Sequence, residues 1–494
     1  MPHPAVAWRA RSAVLLAGLW LVAGCTGHAL TAARPPQSPG AARVAQLHFA
    51  PLETHIPRVG REIERRVLPN GIIVYLAEDR SLPTIDATAL FRAGSLYEPV
   101  DRQGLAQLTA SQLRNGGTTR MSYERLNDEL EVLGASIEAS ASLEAISVSV
   151  GALAKDSDRA LELFADVIRR PAFAPQPFET ARGRMIEDLR RVKDNPPRLM
   201  AREFSRALYT EAHPLGRPLT VGEVSRITPA DLQGYAQQFA RPANMMLAVA
   251  GDFDGPSMWA KLTALFGDWV ADPVRLPAFP AVPSRDARRV TLVPRDLTQA
   301  SLAVGNLGID RRNPDRYAVE LMDLILGGSG FSSRIMDRVR ADEGLAYSVG
   351  TSFPTGWPVT GPFRATAQTK NENVARTVTL ILEEMERIRR EPVTPEELAR
   401  ARQALESSYV FRFSSRYATV VQLMRLEFDG EPADYYETLL DRYRAVTIAD
   451  IQRVAIAYLR PDAATIVVVG DAAKVEAQLA RFGPVERLSP DRLE

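Results

Sequence analysis

The sequence predicts an α+β fold built from two homologous α/β-sandwich halves in tandem, each an antiparallel sheet with helices on one face. Three observations predict it. First, Ile227 to Asp252 (ITPADLQGYAQQFARPANMMLAVAGD) recurs as Val446 to Asp471 (VTIADIQRVAIAYLRPDAATIVVVGD), a gapless offset of 219 from position 227 to 446. Second, β-branched runs of period two alternate with capped amphipathic helical patterns, the signature of a sheet covered by helices. Third, the segment DPVRLPAFPAVPSR, residues 272–285, places prolines at 273, 277, 280 and 283 between the halves. Proline lacks the backbone donor that a helix or a central strand needs, so this stretch reads as a semi-rigid linker. A chain of 494 residues also exceeds what one ordinary core supports.

The elements follow in chain order. Leu68-Pro69-Asn70-Gly71 is a turn that opens a β-branched strand, and Thr84 to Phe91 places Ile85, Ala87, Ala89 and Phe91 on one side. Ser122 caps a helix whose Leu126, Leu130 and Leu133 form one stripe, stopped at Gly134. Ile146, Val148 and Val150 alternate with Ser147 and Ser149, a half-buried strand. Within the repeat, Thr228 and Thr447 cap helices, an Arg-Pro pair (Arg241-Pro242, Arg460-Pro461) follows, and an apolar strand ends in Gly-Asp (Gly251-Asp252, Gly470-Asp471). Ala181-Arg182 and Ala401-Arg402 pair upstream at an offset of 220 from 181 to 401, and Thr394-Pro395-Glu396-Glu397 is a capping box with proline in the first turn.

Composition narrows the function classes. The chain is 46% hydrophobic and 24% charged, and its 60 basic residues balance its 60 acidic ones. It therefore lacks the overall basic excess of a nucleic-acid binder. Cys25 is the only cysteine, so no internal disulfide can form. Of five histidines, His3, His28, His48 and His55 precede residue 60, and only His213 falls in the body of the fold. As a lone loop histidine before Pro214, it reads as a structural hydrogen-bonding group.

The leader carries Arg9 and Arg11, then an apolar run from Ala13 to Ala23, then Gly24-Cys25. The run is too short to span a bilayer as a helix and suits a signal-peptide core. Val22-Ala23-Gly24-Cys25 resembles a bacterial lipobox, which implies cleavage before Cys25 and lipid attachment to it; Thr26 in place of an Asp retention signal implies the outer rather than the inner membrane. Residues 1–24 are thus expected to be a lipoprotein signal peptide and 25–58 a Pro-rich tether. The halves follow as 59–271 and 286–485, joined by the linker 272–285. No later apolar run is long enough to cross a membrane.

The segment LPNGIIVYLAEDRSLPTIDATALFRAGSLYEPVDRQGLAQLTASQLRNGGT, from Leu68, is similar to the opening of domains of the pitrilysin/insulinase family of zinc peptidases. HPLGRPLTVGEVSRITPADL, from His213, and LMDLILGGSGFSSRIMDRVRADEGLAYSVGTSF, from Leu321, resemble later family segments. The resemblance covers residues 62–485. In active members, the helix after Gly-Leu-Ala carries H-x-x-E-H, two zinc-binding histidines and a glutamate that acts as general base. Here those positions hold Gln107, Ala110 and Ser111, and the family's third ligand position falls at Asp188. One carboxylate cannot hold a catalytic zinc, which needs about three protein ligands. The expectation is a degenerate site, no metal and no cofactor in this chain, and zinc only in a partner.

The second half keeps Arg340-Ala341-Asp342-Glu343-Gly344-Leu345-Ala346-Tyr347, which matches the family's R-x-x-x-G-L-x-Y. The resemblance implies that Arg340 and Tyr347 contact substrate backbone across a chamber from the zinc. A guanidinium and a phenol are both donors suited to a developing oxyanion. Gly327 to Arg334 (GGSGFSSR) lacks the G-K-[ST] of a phosphate loop and reads as a tight helix-to-helix turn.

Together these readings imply a non-catalytic, substrate-binding subunit of a heteromeric zinc peptidase in the bacterial cell envelope. Lipid-anchored and facing the periplasm, it would form half of a clamshell with a homologous H-x-x-E-H subunit and act on extended peptides. The alternative is a peptide-binding or scaffolding protein with no peptidase partner.

Overall fold

The structure, a computed structural model, describes residues 56–282, 285–329 and 333–488. The expected signal peptide, Cys25 and most of the tether lie outside the described residues, as do 330–332 of the glycine-rich turn. The first half contains strands β1 (Glu64–Val67), β2 (Ile73–Glu78), β3 (Thr84–Phe91), β4 (Ser136–Ala141), β5 (Ile146–Leu153) and β6 (Met245–Gly251). Its helices are α1 (Leu105–Asn115), α2 (Tyr123–Leu133), α3 (Ser157–Arg169), α4 (Pro175–Arg191), α5 (Pro196–Tyr209), α6 (Val221–Arg226), α7 (Pro229–Phe239) and α8 (Gly255–Phe266). The second half contains β7 (Arg289–Pro294), β8 (Gln299–Leu307), β9 (Ala346–Ser352), β10 (Pro362–Lys370), β11 (Thr465–Gly470) and β12 (Val485–Arg487). Its helices are α9 (Arg316–Asp323), α10 (Val374–Arg390), α11 (Pro395–Tyr409), α12 (Arg416–Phe428), α13 (Tyr435–Ala445), α14 (Ile448–Tyr458) and α15 (Ala472–Leu479).

Each half forms one six-stranded sheet, ordered β1-β2-β6-β3-β5-β4 and β12-β7-β11-β8-β10-β9. The repeat is visible strand for strand, since β6 and β11 occupy the same third position. It extends to side chains: Arg182 on α4 donates to the Ile227 carbonyl at 3.0 Å, and Arg402 on α11 donates to the Val446 carbonyl. Thr228 with Asp231, and Thr447 with Asp450, form the capping boxes that open α7 and α14. The Leu68–Gly71 turn closes the β1–β2 hairpin, and Gly71 at φ 91° adopts the left-handed conformation that suits glycine.

Two features depart from the sequence reading. The sheets are mixed, not wholly antiparallel. β6 runs antiparallel to β3 but parallel to β2, and β11 runs antiparallel to β8 but parallel to β7. The repeat strand returns to the sheet after a long helical excursion, and only such a connection allows parallel pairing. Helices also cover both faces of each sheet.

Helices of the same half cover the front. Leu105, Leu108, Phe164, Phe178, Leu232 and Phe266 pack on Val74, Ile85, Ala87, Ala89 and Val148 of the first sheet. The back is covered by the other half. Val420, Leu423 and Met424 of α12 share a buried cluster with Tyr75, Leu90, Met246 and Ala248 of the first sheet. Reciprocally, Leu199, Phe204 and Leu208 of α5 pack on Val293, Ala303, Val467 and Val469 of the second. Each half lends one helix to its neighbour, and each large apolar side chain so buried contributes about 1.5–3 kcal/mol.

Candidate functional site

Helix α1 carries the positions where the family's zinc motif would stand, and the local chemistry that starts it is explicit. Gly104 precedes it at φ 91°, and a Cβ there would lie 3.1 Å from Met185 Sδ and 3.2 Å from Leu219 Cδ1. Both the backbone conformation and the close packing call for glycine. The Glu98 carboxylate then caps the helix, accepting from the Ala106 amide at 2.7 Å and the Gly104 amide at 3.1 Å. Two amides near the helix start are thereby satisfied, and the carboxylate lies at the positive end of the macrodipole. Burial nevertheless pushes Glu98 up to about 7, against the pull of those two donors. The sequence reading missed Glu98; its only signal was an acidic residue shortly before a glycine-initiated helix.

On α1, Gln107 points to solvent, Ser111 is half-buried and Ala110 is 2% exposed in the core. Helix α1 packs against α4, which carries Asp188 on its exposed side. The structure thus places the four degenerate positions on two adjoining helices. Their chemistry is an amide, a methyl, a hydroxyl and one carboxylate. No group of three His, Cys, Asp or Glu side chains among the described residues is arranged to hold a metal ion. Ala110 also offers no base to deprotonate a bound water. These residues do not fit a catalytic zinc, and no water activation is assigned to them. His213 is buried, accepts the Leu215 amide at Nδ1 (3.1 Å) and stacks on Tyr209 with ring centroids 5.1 Å apart. Burial holds its pKa below the ordinary value, consistent with a neutral acceptor.

In the second half, Arg340 and Tyr347 sit on consecutive elements. Arg340 lies in a widened, π-type helical turn, Asp337–Asp342, is half-buried and has an interaction of its own. Tyr347 lies on β9, which among the described residues is an edge strand paired only with β10, and is 80% exposed. Its ring therefore stands almost wholly outside the core.

Three side chains hold this region in place. Arg334, which precedes the Arg340 turn, makes a bidentate pair with Glu397, 2.6 Å from Nε to Oε1 and 2.7 Å from Nη2 to Oε2. Glu397 also completes the capping box of α11, accepting from the Thr394 amide at 2.7 Å. The box was legible in sequence; its second duty to Arg334 was not, because the partners stand 63 positions apart. Behind β9, Thr351 donates to the Asp323 carbonyl at 3.4 Å. A second widened turn, Leu324–Gly328, passes so close to β9 that a Cβ on Gly327 would lie 2.5 Å from Thr351 Cγ2 and 2.8 Å from the Thr351 amide nitrogen. Glycine is required there by close approach to a strand.

Comparison with known proteins accords with this geometry. Residues 74–221 match the family described as insulinase (peptidase family M16), and residues 226–405 match the peptidase M16 inactive domain. An uncharacterized zinc protease of Streptomyces coelicolor is 24% identical over 403 residues, 80% of this chain and 86% of that protein. A probable mitochondrial-processing peptidase subunit beta of Arabidopsis thaliana is 24% identical over 404 residues, 79% of this chain and 75% of that protein. A crystal structure of a peptidase M16 inactive domain from Pseudomonas fluorescens superposes with a TM-score of 0.75 at 26% identity, covering 83% of this chain and 98% of that one. The periplasmic protease PqqL of Escherichia coli shares the fold, with a TM-score of 0.71 at 16% identity over 88% of this chain and 51% of that one.

Proposed function

The chain belongs to the insulinase (peptidase M16) family, and from that premise we propose that it is a non-catalytic, substrate-binding subunit of a heteromeric zinc peptidase. The observation that carries this reading is the side-chain set at the family's motif. Where two histidines and a glutamate should stand, the helix presents Gln107, Ser111 and Ala110, while the R-x-x-x-G-L-x-Y segment is intact. Metal chemistry is lost and substrate-contact chemistry is kept, which is the division of labour expected of one subunit in a pair. The partner would be a homologous chain bearing H-x-x-E-H and the zinc, and the two would close as a clamshell.

Within that chamber, Arg340 and Tyr347 would donate hydrogen bonds to the substrate backbone and to the oxyanion that develops at the scissile carbonyl. Among the described residues, edge strands β4 and β9 each have one side unpaired by another strand, so extended peptides are the substrate class that fits. Cys25 would carry the lipid, the mature chain would face the periplasm from the outer membrane, and the boundaries 25–58, 59–271, 272–285 and 286–485 would delimit tether, first domain, linker and second domain. No helix among the described residues is long and apolar enough to cross a membrane, which is compatible with anchoring by lipid.

The test is direct. The purified mature chain should bind no stoichiometric zinc by metal analysis and cleave no unfolded peptide. Material pulled down from detergent-solubilised membranes should contain an H-x-x-E-H homologue and a chelator-sensitive peptidase activity. Stoichiometric zinc or unaided hydrolysis would refute the proposal. Retrieval of peptides without any such homologue would instead favour a peptide-binding or scaffolding protein.

A further inference from the structure

A cavity of about 580 Å³ opens where the N-terminus of α12 meets the back of the first sheet. It belongs to neither the zinc-motif helix nor the Arg340 region. Along β3, Ile85, Ala87, Ala89 and Phe91 face the front core with α1. Asp86, Thr88 and Leu90 therefore face the back, because strand side chains alternate. Leu90 is covered by α12, and Thr88 shares a hydrogen bond with the Tyr417 hydroxyl. At Asp86 the covering stops.

The space there is made by missing side chains. Asp86 pairs in register with Ala250 on one neighbouring strand and Gly151 on the other. A Cβ on Gly151 would lie 3.0 Å from Asp86 Oδ1, so the carboxylate occupies room that glycine leaves. Gly251 lines the same wall, and a Cβ there would lie 2.2 Å from the Thr84 carbonyl oxygen.

Charges of both signs border this space without satisfying one another. Asp86 makes no hydrogen bond or ion pair among the described residues, and burial pushes its carboxyl above the usual range. Arg416, the first residue of α12, also lines it, and its Nη1 is buried with no hydrogen-bond partner among the described residues. Asp79 also lines the cavity; it accepts the Ser81 amide at 3.1 Å and feels the Arg416 charge, yet forms no ion pair with it. Half-buried charges without partners are costly, and a cavity of this size falls in the range of small-ligand sites.

We propose that this cavity binds an α-amino acid or short peptide, with Asp86 taking an ammonium group and Arg416 a carboxylate. Two carboxylates against one guanidinium favour a ligand with one extra positive charge, a residue with a basic side chain. The site is built from both homologous halves and stands independently of the peptidase-subunit reading.

The experiment is calorimetric titration of the purified mature chain, without any partner, using lysyl-alanine as probe. Saturable binding is expected. It should weaken at least 10-fold when the dipeptide is C-terminally amidated or fully acetylated at its amines, and at least 10-fold in Asp86→Asn and Arg416→Gln. The capped dipeptides act on the unaltered protein, so the test survives a variant that fails to fold; thermal midpoints no lower than that of the unaltered protein establish that the variants are intact. Absence of saturation at 10 mM would overturn the proposal, as would affinity indifferent to both substitutions. Binding of putrescine as tight as that of lysyl-alanine would equally overturn it, because a diamine has nothing for Arg416 to hold.

Discussion

Asp323 closes α9 just before the glycine-rich turn, and its Oδ1 is buried with no hydrogen-bond partner among the described residues. Burial is the main force that raises its carboxyl, to about 6; the nearby charge of Glu320 adds to it, while the adjacent Thr351 side chain and Phe353 backbone oppose it. The native state therefore holds its proton at pH values where the unfolded chain, titrating near 3.8, has released it. The favourable contribution is complete below the unfolded pKa and is lost as pH rises through about 6. An upward shift of this size corresponds to about 1–3 kcal/mol. Asp323→Asn should remove that slope, gaining on the unaltered protein between pH 4 and pH 7 in thermal midpoint; parallel profiles would show that Asp323 does not titrate in this window. Arg340 and Tyr347 make the second prediction at this scale. In a reconstituted active pair, Arg340→Ala and Tyr347→Phe should each lower kcat by about 10²–10³-fold, the usual loss for one oxyanion donor, without loosening assembly on a sizing column. Unchanged kcat in both variants would leave the segment a structural one.

Among the elements, α12 and α5 have the least obvious role in sequence, because each covers a sheet that belongs to the other half. The join of α12 to the first sheet is also polar. Glu427 accepts a bidentate pair from Arg65, 2.7 Å from Nε and 2.6 Å from Nη2, and a further bond from the Tyr75 hydroxyl. Burial is the first force that raises the Tyr75 hydroxyl pKa, with the hydrogen bond to Glu427 next. Because the Arg65 and Glu427 side chains are 35% and 34% exposed, solvent screens the pair. Glu427→Ala should therefore cost only about 1–2 kcal/mol, read as a shift in the denaturant midpoint with an unchanged slope. A loss beyond that would mean the helix itself had undocked. Most element boundaries were legible, since caps and periodicity are local. Ser122 accepts the Arg125 amide at 3.4 Å and Gly134 takes φ 59°, as the pattern at the two ends of α2 required. What lies on the far side of each sheet was not legible, because Leu199, Phe204, Leu423 and Met424 have the same apolar character whichever sheet they cover.

For the whole molecule, the exchange of helices makes the halves interdependent. Residues 56–272 without the second half would expose Tyr75, Leu90, Met246, Ala248 and Ala250 on one sheet face. An apolar sheet face left in water is an association surface. That fragment should elute as aggregate when expressed alone and as a soluble heterodimer when co-expressed with residues 285–494. A monodisperse, cooperatively unfolding fragment would refute the interdependence.

The sequence by itself determined the two tandem copies, the α+β class, the capped helices and the side chains left at the zinc-motif positions. Each of these is written in residue identity at short range or in the match between Ile227–Asp252 and Val446–Asp471. Only the tertiary structure decided that β6 and β11 pair parallel on one side, that Glu98 caps α1, that Arg334 and Glu397 brace the Arg340 turn, and that Asp86 and Arg416 line one open space. Those relations join residues far apart in the chain, and which of many chemically equal partners meet is settled by packing of the folded chain, not by local pattern.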